Sequence, residues 1–151
     1  MANTTFQGVV RSYGGGIKGT HTPVPVTQSV QISFDPTATS ATNVRIGTSS
    51  SSGETLTLPA GAIPISLLSI GGAAGGSSPT VDIGTSADPD GLFNEADCDT
   101  KGTLKGADGA LAVAGGLAAD ATVTGMKGSS AATSGTFTGI LTYVMANNSV
   151  E

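Results

Sequence analysis

Hydrophobic and polar residues alternate along several short stretches of the chain, and this alternation predicts β-strands. In Val26–Phe34, apolar side chains fall on one face and hydroxyl or amide side chains fall on the other. The stretch is also rich in β-branched residues, which favour strands. Asp35-Pro36 ends it with a turn signal. The predicted apolar face is Val26, Val30, Ile32 and Phe34, and the predicted polar face is Thr27, Ser29, Gln31 and Ser33.

Other strand-forming stretches follow, separated by turn residues. They are 43–47, 55–58, 63–70, 80–84, 121–126 and 136–145, with a weaker one at 103–105. Gly71–Gly76 is predicted to be a loop and Asp88–Gly91 a tight turn. The Ala-rich stretch 109–119 is predicted to be a loop with a short strand. Each of its two central glycines would cost about 1 kcal/mol in a helix relative to alanine.

Two of these strands carry a local irregularity. Pro64 has no backbone N–H, so it is predicted at a sheet edge or near the start of its strand. In the final strand, the larger apolar residues share one face only if a β-bulge lies near Gly139. Those residues are Phe137, Ile140, Tyr143 and Met145.

The number and spacing of these strands indicate the fold class. About eight short strands with no convincing helix predict an all-β fold. We expect an antiparallel β-sandwich that is jelly-roll-like, occupying residues 23–151. No repeat of fixed period is visible, which argues against a propeller or a β-helix.

Residues 1–22 differ from the rest and are predicted to be an N-terminal docking arm. Gly14, Gly15 and Gly16 disfavour regular structure there, and the arm contains no acidic residue. It nevertheless carries apolar and basic side chains, which favour a segment that becomes ordered on a partner. The predicted docking residues are Phe6, Val9, Val10, Arg11, Tyr13 and Lys18. The alternative is that this segment contributes an early strand to the main sheet.

Composition narrows the function classes. A chain of 151 residues is long enough for one hydrophobic core. Six basic residues against eleven acidic ones, with a formal net charge of −5, cannot form the basic footprint of a nucleic-acid-binding protein. The longest apolar run, Ile63–Ile70, is too short to span a bilayer, so no membrane partner is expected. The first residues lack the pattern of a signal peptide, so we expect synthesis in a cytoplasm without standard export.

The residues that most often carry chemistry are scarce. Cys98 is the only cysteine and His21 the only histidine, so neither a disulfide nor a thiolate metal cage is possible within the chain. Gly14–Gly19 matches a GxGxxG pattern, but no helix can follow it at Thr20–Pro23. We therefore expect no enzyme activity and no cofactor.

One run of acidic residues stands out, and it allows two interpretations. Several carboxylates together are what a calcium ion requires, but the run lacks the spacing of a D-x-D-x-D-G loop. Asp and Asn also favour turns, and turn chemistry is the interpretation we prefer. The residues are Asp82, Asp88, Asp90, Glu95, Asp97 and Asp99.

Three stretches of the chain, together with its start, resemble a module of tailed-phage structural proteins. They are Val81–Phe93 (VDIGTSADPDGLF), Ser134–Val144 (SGTFTGILTYV) and Leu56–Ile65 (LTLPAGAIPI). The start, Met1–Ser12, is similar to the N-termini of small virion proteins of marine phages. These stretches span most of the chain and consist of turn and strand residues rather than catalytic signatures. Pro64 and the stretch 109–119 depart from the pattern.

The resemblance implies a jelly-roll-like domain on a phage particle, usually a capsid decoration (cement) protein or a head fibre. The expected partners are the major capsid protein of the same phage and further copies of the chain, most simply as a homotrimer. The expected location is the capsid exterior, after synthesis in the cytoplasm of the host bacterium. The alternative is a receptor- or glycan-binding tip of a head or tail fibre.

Overall fold

The structure is a computed structural model that describes residues 26–145. Within that range the chain forms eleven strands and one short helix. The strands are β1 (Val26–Phe34), β2 (Thr42–Asn43), β3 (Arg45–Ile46), β4 (Thr57–Leu58), β5 (Ala62–Ala74), β6 (Thr80–Gly84), β7 (Phe93–Asp97), β8 (Leu104–Gly106), β9 (Ala121–Thr122), β10 (Thr124–Lys127) and β11 (Ser134–Met145). The helix, α1, is Ala110–Val113.

All strand pairs are antiparallel, and they form two main sheets and a small third one. The first sheet has the order β3-β1-β11-β5-β8, and the second has the order β2-β10-β6-β7. Strands β4 and β9 form a two-stranded ribbon. The predicted all-β, antiparallel class is therefore confirmed, whereas the jelly-roll connectivity stays a prediction.

The core lies between the two main sheets. Phe34 of β1 and Phe137 of β11 are paired in register, are fully buried, and have ring centroids 5.3 Å apart. From the second sheet, Gly125 of β10 faces them so closely that a Cβ built on it would lie 2.6 Å from the Phe34 ring. Ile83 and Val81 of β6 are also fully buried. A side chain at position 125 would occupy space that the Phe34 ring fills, so the sheets approach closely here.

The prediction for β1 is confirmed in its bounds and in its apolar face, because Ile32 and Phe34 are buried while Thr27, Ser29 and Gln31 are exposed. Ser33 is the exception. It belongs to the polar face, yet it is fully buried. The chain after β3 folds over that end of the sheet, where the Gly47 N–H donates to the Gln31 carbonyl and the Ser50 and Thr136 hydroxyls are 3.3 Å apart.

Strand β5 is longer than predicted, and the expected loop at Gly71–Gly76 is wrong for its first four residues. The strand continues to Ala74 because Gly71 and Gly72 adopt positive φ angles of 90° and 107° that still allow pairing with β11. Pro64 is the third residue of β5, as predicted for a position near the strand's start. An irregularity in pairing between Ser66 and Pro64 leaves Ile65 without a register partner on β11.

Two irregularities in the pairing of β11 with β5 lie near Gly139: β11 has one extra residue between Gly135 and Thr138, and β5 has one extra residue opposite Thr138 and Gly139. β11 pairs with β1 without interruption, and the pairing with β5 skips one residue of β5, Ile70, opposite Thr138 and Gly139. Ile140 is therefore on the face opposite Phe137, which corrects the predicted grouping of these two residues.

Two further elements differ from the prediction. Residues 110–113 form α1, whereas the sequence predicted a loop with a short strand at 109–119. The helix ends before Gly115 and Gly116, whose φ angles of 91° and 120° are incompatible with its continuation. Strand β7 was not predicted from the sequence. Its five residues, FNEAD, include two carboxylates and only two apolar residues, Phe93 and Ala96, which do not alternate with polar ones.

Candidate functional site

The five-stranded sheet has one face turned to solvent. Its row at the β3 end, Arg45–Ser33–Thr138–Gly71, lies where the chain after β3 folds over the sheet, and strand register places the other residues of this side in three rows across the strands. Residues that pair directly in a sheet project to the same side. The rows are Gln31–Ile140–Leu68–Leu104, Ser29–Thr142–Ser66–Gly106 and Thr27–Val144–Ile63. We call these residues the outer face. Their neighbours along β11, Phe137, Leu141 and Tyr143, project into the core, which fixes the direction of the two sides.

The outer face contains no charged residue. Its side chains are aliphatic, hydroxyl or amide groups, and its one direct side-chain hydrogen bond joins Ser29 and Thr142, whose hydroxyls are 2.9 Å apart. Leu104, at the β8 edge, is 67% exposed, and Ile65, beside the face on β5, is 46% exposed. Strand register makes Leu104, Leu68 and Ile140 neighbours in one row, and a contiguous aliphatic row on an uncharged sheet is typical of a protein contact surface.

One border of the outer face is an open sheet edge. Strand β1 pairs with β11 along its whole length, but β3 pairs only with Ile32 and Ser33. Among the described residues, no strand pairs with 26–30 on that side. The Gln31 carbonyl on this edge accepts from Gly47, so the backbone groups of Ser29 and Thr27 face the same way with no strand beside them.

Sequence reasoning did not find the outer face, although a signal for it exists. Residues 19–34, 55–81 and 128–150 contain no Lys, Arg, Asp or Glu. These three segments contain β1, β5 and β11, the adjacent central strands of the sheet. Three uncharged segments in a chain of net charge −5 suit strands that share one surface, but only the register shows which side chains share the solvent side.

The carboxylates lie elsewhere, mostly on the second sheet and its turns. Asp82 alternates with the buried Val81 and Ile83, so its side chain is on the outer side of the second sheet. Burial is the main cause that raises the pKa of Asp82, and the nearby carboxylate of Glu95 acts in the same direction. The two sides of the molecule therefore differ sharply in charge.

Glu95 is held by a set of hydrogen bonds that joins β7 to the chain around Ser129. Its carboxylate accepts from the Ser129 N–H at 2.7 Å, from the Ser129 hydroxyl at 3.0 Å and from the Thr80 hydroxyl. Burial alone would raise the pKa of Glu95, but these hydrogen bonds outweigh it and lower the pKa. Glu95 also has a φ of 54°, a conformation that few non-glycine residues adopt. The role of this carboxylate is to connect chain segments.

The acidic run does not converge on one point. In residues 26–145, no group of three His, Cys, Asp or Glu side chains is placed to hold a metal ion. Asp97 instead accepts from the Thr100 N–H at 2.8 Å, and the Gly91 N–H donates to the Asp88 carbonyl, as in a turn. These bonds are the turn chemistry that the sequence analysis preferred.

Cys98 is fully buried and unsuited to act as a nucleophile. Its Sγ donates to the carbonyl oxygen of Pro79 at 3.1 Å. Burial raises the pKa of its thiol to about 12, and the carboxylates of Asp99 and Asp97 act in the same direction. A thiolate is the reactive form, so this cysteine is a packing residue.

The predicted docking residues Phe6, Val9, Val10, Arg11, Tyr13 and Lys18 lie outside the described residues, as does His21. The structure neither brings them together nor separates them. In the part of the chain that is described, no helix is long and apolar enough to cross a membrane.

The chain is similar in part to a chain of a solved structure. No family model matches the chain, and no curated protein matches it. A chain in the solved structure titled "Cyanophage Pam1 capsid asymmetric unit" is 18% identical, with a TM-score of 0.48. The match covers 85% of the present chain and 91% of that chain.

Proposed function

We propose that this chain is a non-enzymatic structural protein of a phage virion, which decorates the capsid and stabilises it by binding the outer surface of the shell. The observation that carries the proposal is the outer face: an uncharged sheet surface with aliphatic side chains, which suits the protein contacts of an assembled particle, between copies of the chain as well as with a shell, and holds no reactive group. The sequence resemblance to tailed-phage structural proteins supplies the shell as the partner.

The mechanism is additive stabilisation. A protein that binds the assembled shell and not its free subunits stabilises the assembly by mass action. A homotrimer would engage several sites at once, so weak individual contacts would add up through avidity. The arm, residues 1–22, would supply the contact to the shell by laying Phe6, Val9, Val10 and Tyr13 into an apolar groove or along a sheet edge.

The alternative, a glycan- or receptor-binding tip, has less support. Such a tip needs solvent-exposed aromatic side chains, because these provide a large contact area for a ligand. In the described part of the chain the aromatic residues are Phe34, Phe93, Phe137 and Tyr143, and none is more than 9% exposed. They serve the core instead.

The test uses capsids that lack the native protein. Purified full-length chain is added, and bound protein is measured by co-sedimentation together with the temperature at which the capsids open. We expect saturable binding and a higher opening temperature. Phe6→Ala with Tyr13→Ala should weaken binding more than Arg11→Ala with Lys18→Ala, because each exposed ion pair contributes only about 0.2–1 kcal/mol.

Two controls separate a docking defect from a folding defect. Circular dichroism of each variant must match the wild type. Deleting residues 1–22 should leave a folded β-rich domain that no longer binds. Full occupancy by the truncated chain would contradict docking through the arm, and absence of binding by the wild type would contradict the proposed function.

A further inference from the structure

The outer face has the chemistry of a contact surface, and along β1 it ends at a sheet edge where, among the described residues, no strand pairs with 26–30. Edge strands in monomeric proteins are normally protected by a charged residue, a proline or a bulge. The stretch of β1 along the open edge, Val26–Gln31, has the sequence VTQSVQ and pairs regularly with β11, so it carries none of these. An unprotected edge beside an uncharged face calls for a partner.

Charge decides which partner fits. Each copy of the chain carries a net charge of −5. Contact through the second sheet would bring Asp82, Glu95 and Asp97 of two copies together, and apposed like charges cost several kcal/mol. The outer face is the broad sheet surface on which two acidic copies meet with no carboxylate between them. Because the outer face is uncharged, none of its groups repels another copy, whichever groups of the two copies meet.

The N-terminal segment of the same chain fits this face less well. That segment carries Arg11 and Lys18 and no acidic residue. An uncharged face offers those two bases no partner, whereas the second sheet offers several carboxylates. On charge, the segment therefore fits the second sheet better than the outer face.

We infer that the outer face and the open edge of β1 form the interface between copies of this chain. The inference deepens the homo-oligomer in the proposed function, and its test needs no capsid. A monomeric chain could still bind capsids, although without the gain from avidity, so failure of self-association would overturn this inference and not the proposed function. A protein that self-associates without binding capsids would contradict only the proposed function.

The test measures the mass of the full-length chain by analytical ultracentrifugation over a concentration series. We expect a defined multiple of 14.6 kDa. Leu104→Glu and Ser29→Glu place a carboxylate at opposite sides of the face, and each should raise the dissociation constant by about tenfold or more. Both positions are exposed in the single chain, so either variant should fold.

The matched control is Val113→Glu, which makes the same change of charge at a side chain that is 73% exposed but lies on α1. It should associate like the wild type. Raising the salt concentration should leave association unchanged or tighter, because no attractive ion pair is screened. Hydrogen exchange at the amides of Thr27 and Ser29 should be slow in the oligomer and fast in Ser29→Glu.

Three results would overturn the inference. A wild-type monomer with fast exchange at Thr27 and Ser29 would show that the face is free for another protein. A monomer with slow exchange would show that a segment of the same chain covers it. An oligomer that Val113→Glu disrupts, while Leu104→Glu and Ser29→Glu do not, would place the interface elsewhere.

Discussion

Replacing Gly125 with alanine should destabilise the protein, because this glycine lets the two main sheets approach. The added Cβ would lie 2.6 Å from Cε2 and from Cζ of Phe34. Carbon atoms in contact are normally about 3.5–4.0 Å apart, so the overlap is roughly 1 Å. Phe34 is fully buried and its ring lies against Phe137, so it has no free space into which it can turn.

The structure supports an estimate of the size of this effect. Adding a methyl group to a tightly packed core costs about 1–3 kcal/mol. For a chain of this length, 1 kcal/mol shifts the melting temperature by roughly 2–4 °C, so Gly125→Ala should melt about 2–12 °C lower. Replacing Phe34 with leucine opens space at the same point but loses the aromatic pair with Phe137, a loss of roughly 0.5–1.5 kcal/mol.

The assay is equilibrium unfolding in urea, followed by circular dichroism at one fixed protein concentration. Four proteins form a double-mutant cycle: the wild type, Gly125→Ala, Phe34→Leu and the double variant. We expect the double variant to be more stable than the sum of the single effects predicts, by about 0.5–3 kcal/mol. Gly106→Ala is the control, since a Cβ there meets nothing within 4 Å. Because Gly106 lies on the outer face, the control is compared at a protein concentration at which its oligomeric state is that of the wild type, and its effect should then stay within about 0.5 kcal/mol. The reasoning fails if Gly125→Ala is as stable as Gly106→Ala, or if the effects of Gly125→Ala and Phe34→Leu simply add.

Three further predictions concern single buried or bonded groups. The pKa of Glu95 is lowered in the folded chain, so the stability that its carboxylate contributes is complete above its ordinary pKa of about 4.5 and is lost as the pH falls through the lowered value. Glu95→Gln should therefore reduce the fall in the free energy of unfolding at acid pH, measured by urea unfolding, and an unchanged fall would contradict this. Ser69 is 3% exposed, and its hydroxyl has no hydrogen-bond partner among the described residues. Ser69→Ala should therefore be at least as stable as the wild type in urea unfolding, and a loss of more than about 1 kcal/mol in the free energy of unfolding would show that the hydroxyl has a partner. The Cys98 thiol should resist a thiol reagent at pH 8 until urea unfolds the chain, and rapid labelling of the native protein would show that it is accessible.

Local pattern was sufficient for the strands whose two sides differ in polarity. Val26–Phe34 alternates so regularly that both its bounds and its buried side follow from the sequence. The same reasoning failed at Gly71–Ala74, because glycines with positive φ extend β5 by pairing with β11 rather than by any preference of their own. It failed at Ile140 for a similar reason, since the extra residue next to Gly139 lies on the neighbouring strand, β5.

The outer face could not be predicted from the sequence. Leu68, Leu104 and Ile140 are adjacent across three strands although they are far apart along the chain. A short stretch of sequence contains only one of these three residues, so the sequence pattern alone cannot show that they are neighbours in the sheet. The docking residues predicted in the arm are a different case, because they lie outside residues 26–145 and stay a prediction.

The central position of β11 has a consequence for how the protein is made. The strand lies between β1 and β5, and its partner β1 is separated from it by residues 35–133. On the ribosome, β1 and β5 emerge long before the strand that joins them, so the sheet cannot close until synthesis has passed residue 145. Folding governed by such distant pairings is slow, and exposed strand edges in the meantime favour aggregation. A truncation that removes β11 would therefore leave β1 and β5 without the strand that both of them pair with, and the shortened chain would not fold into a smaller domain.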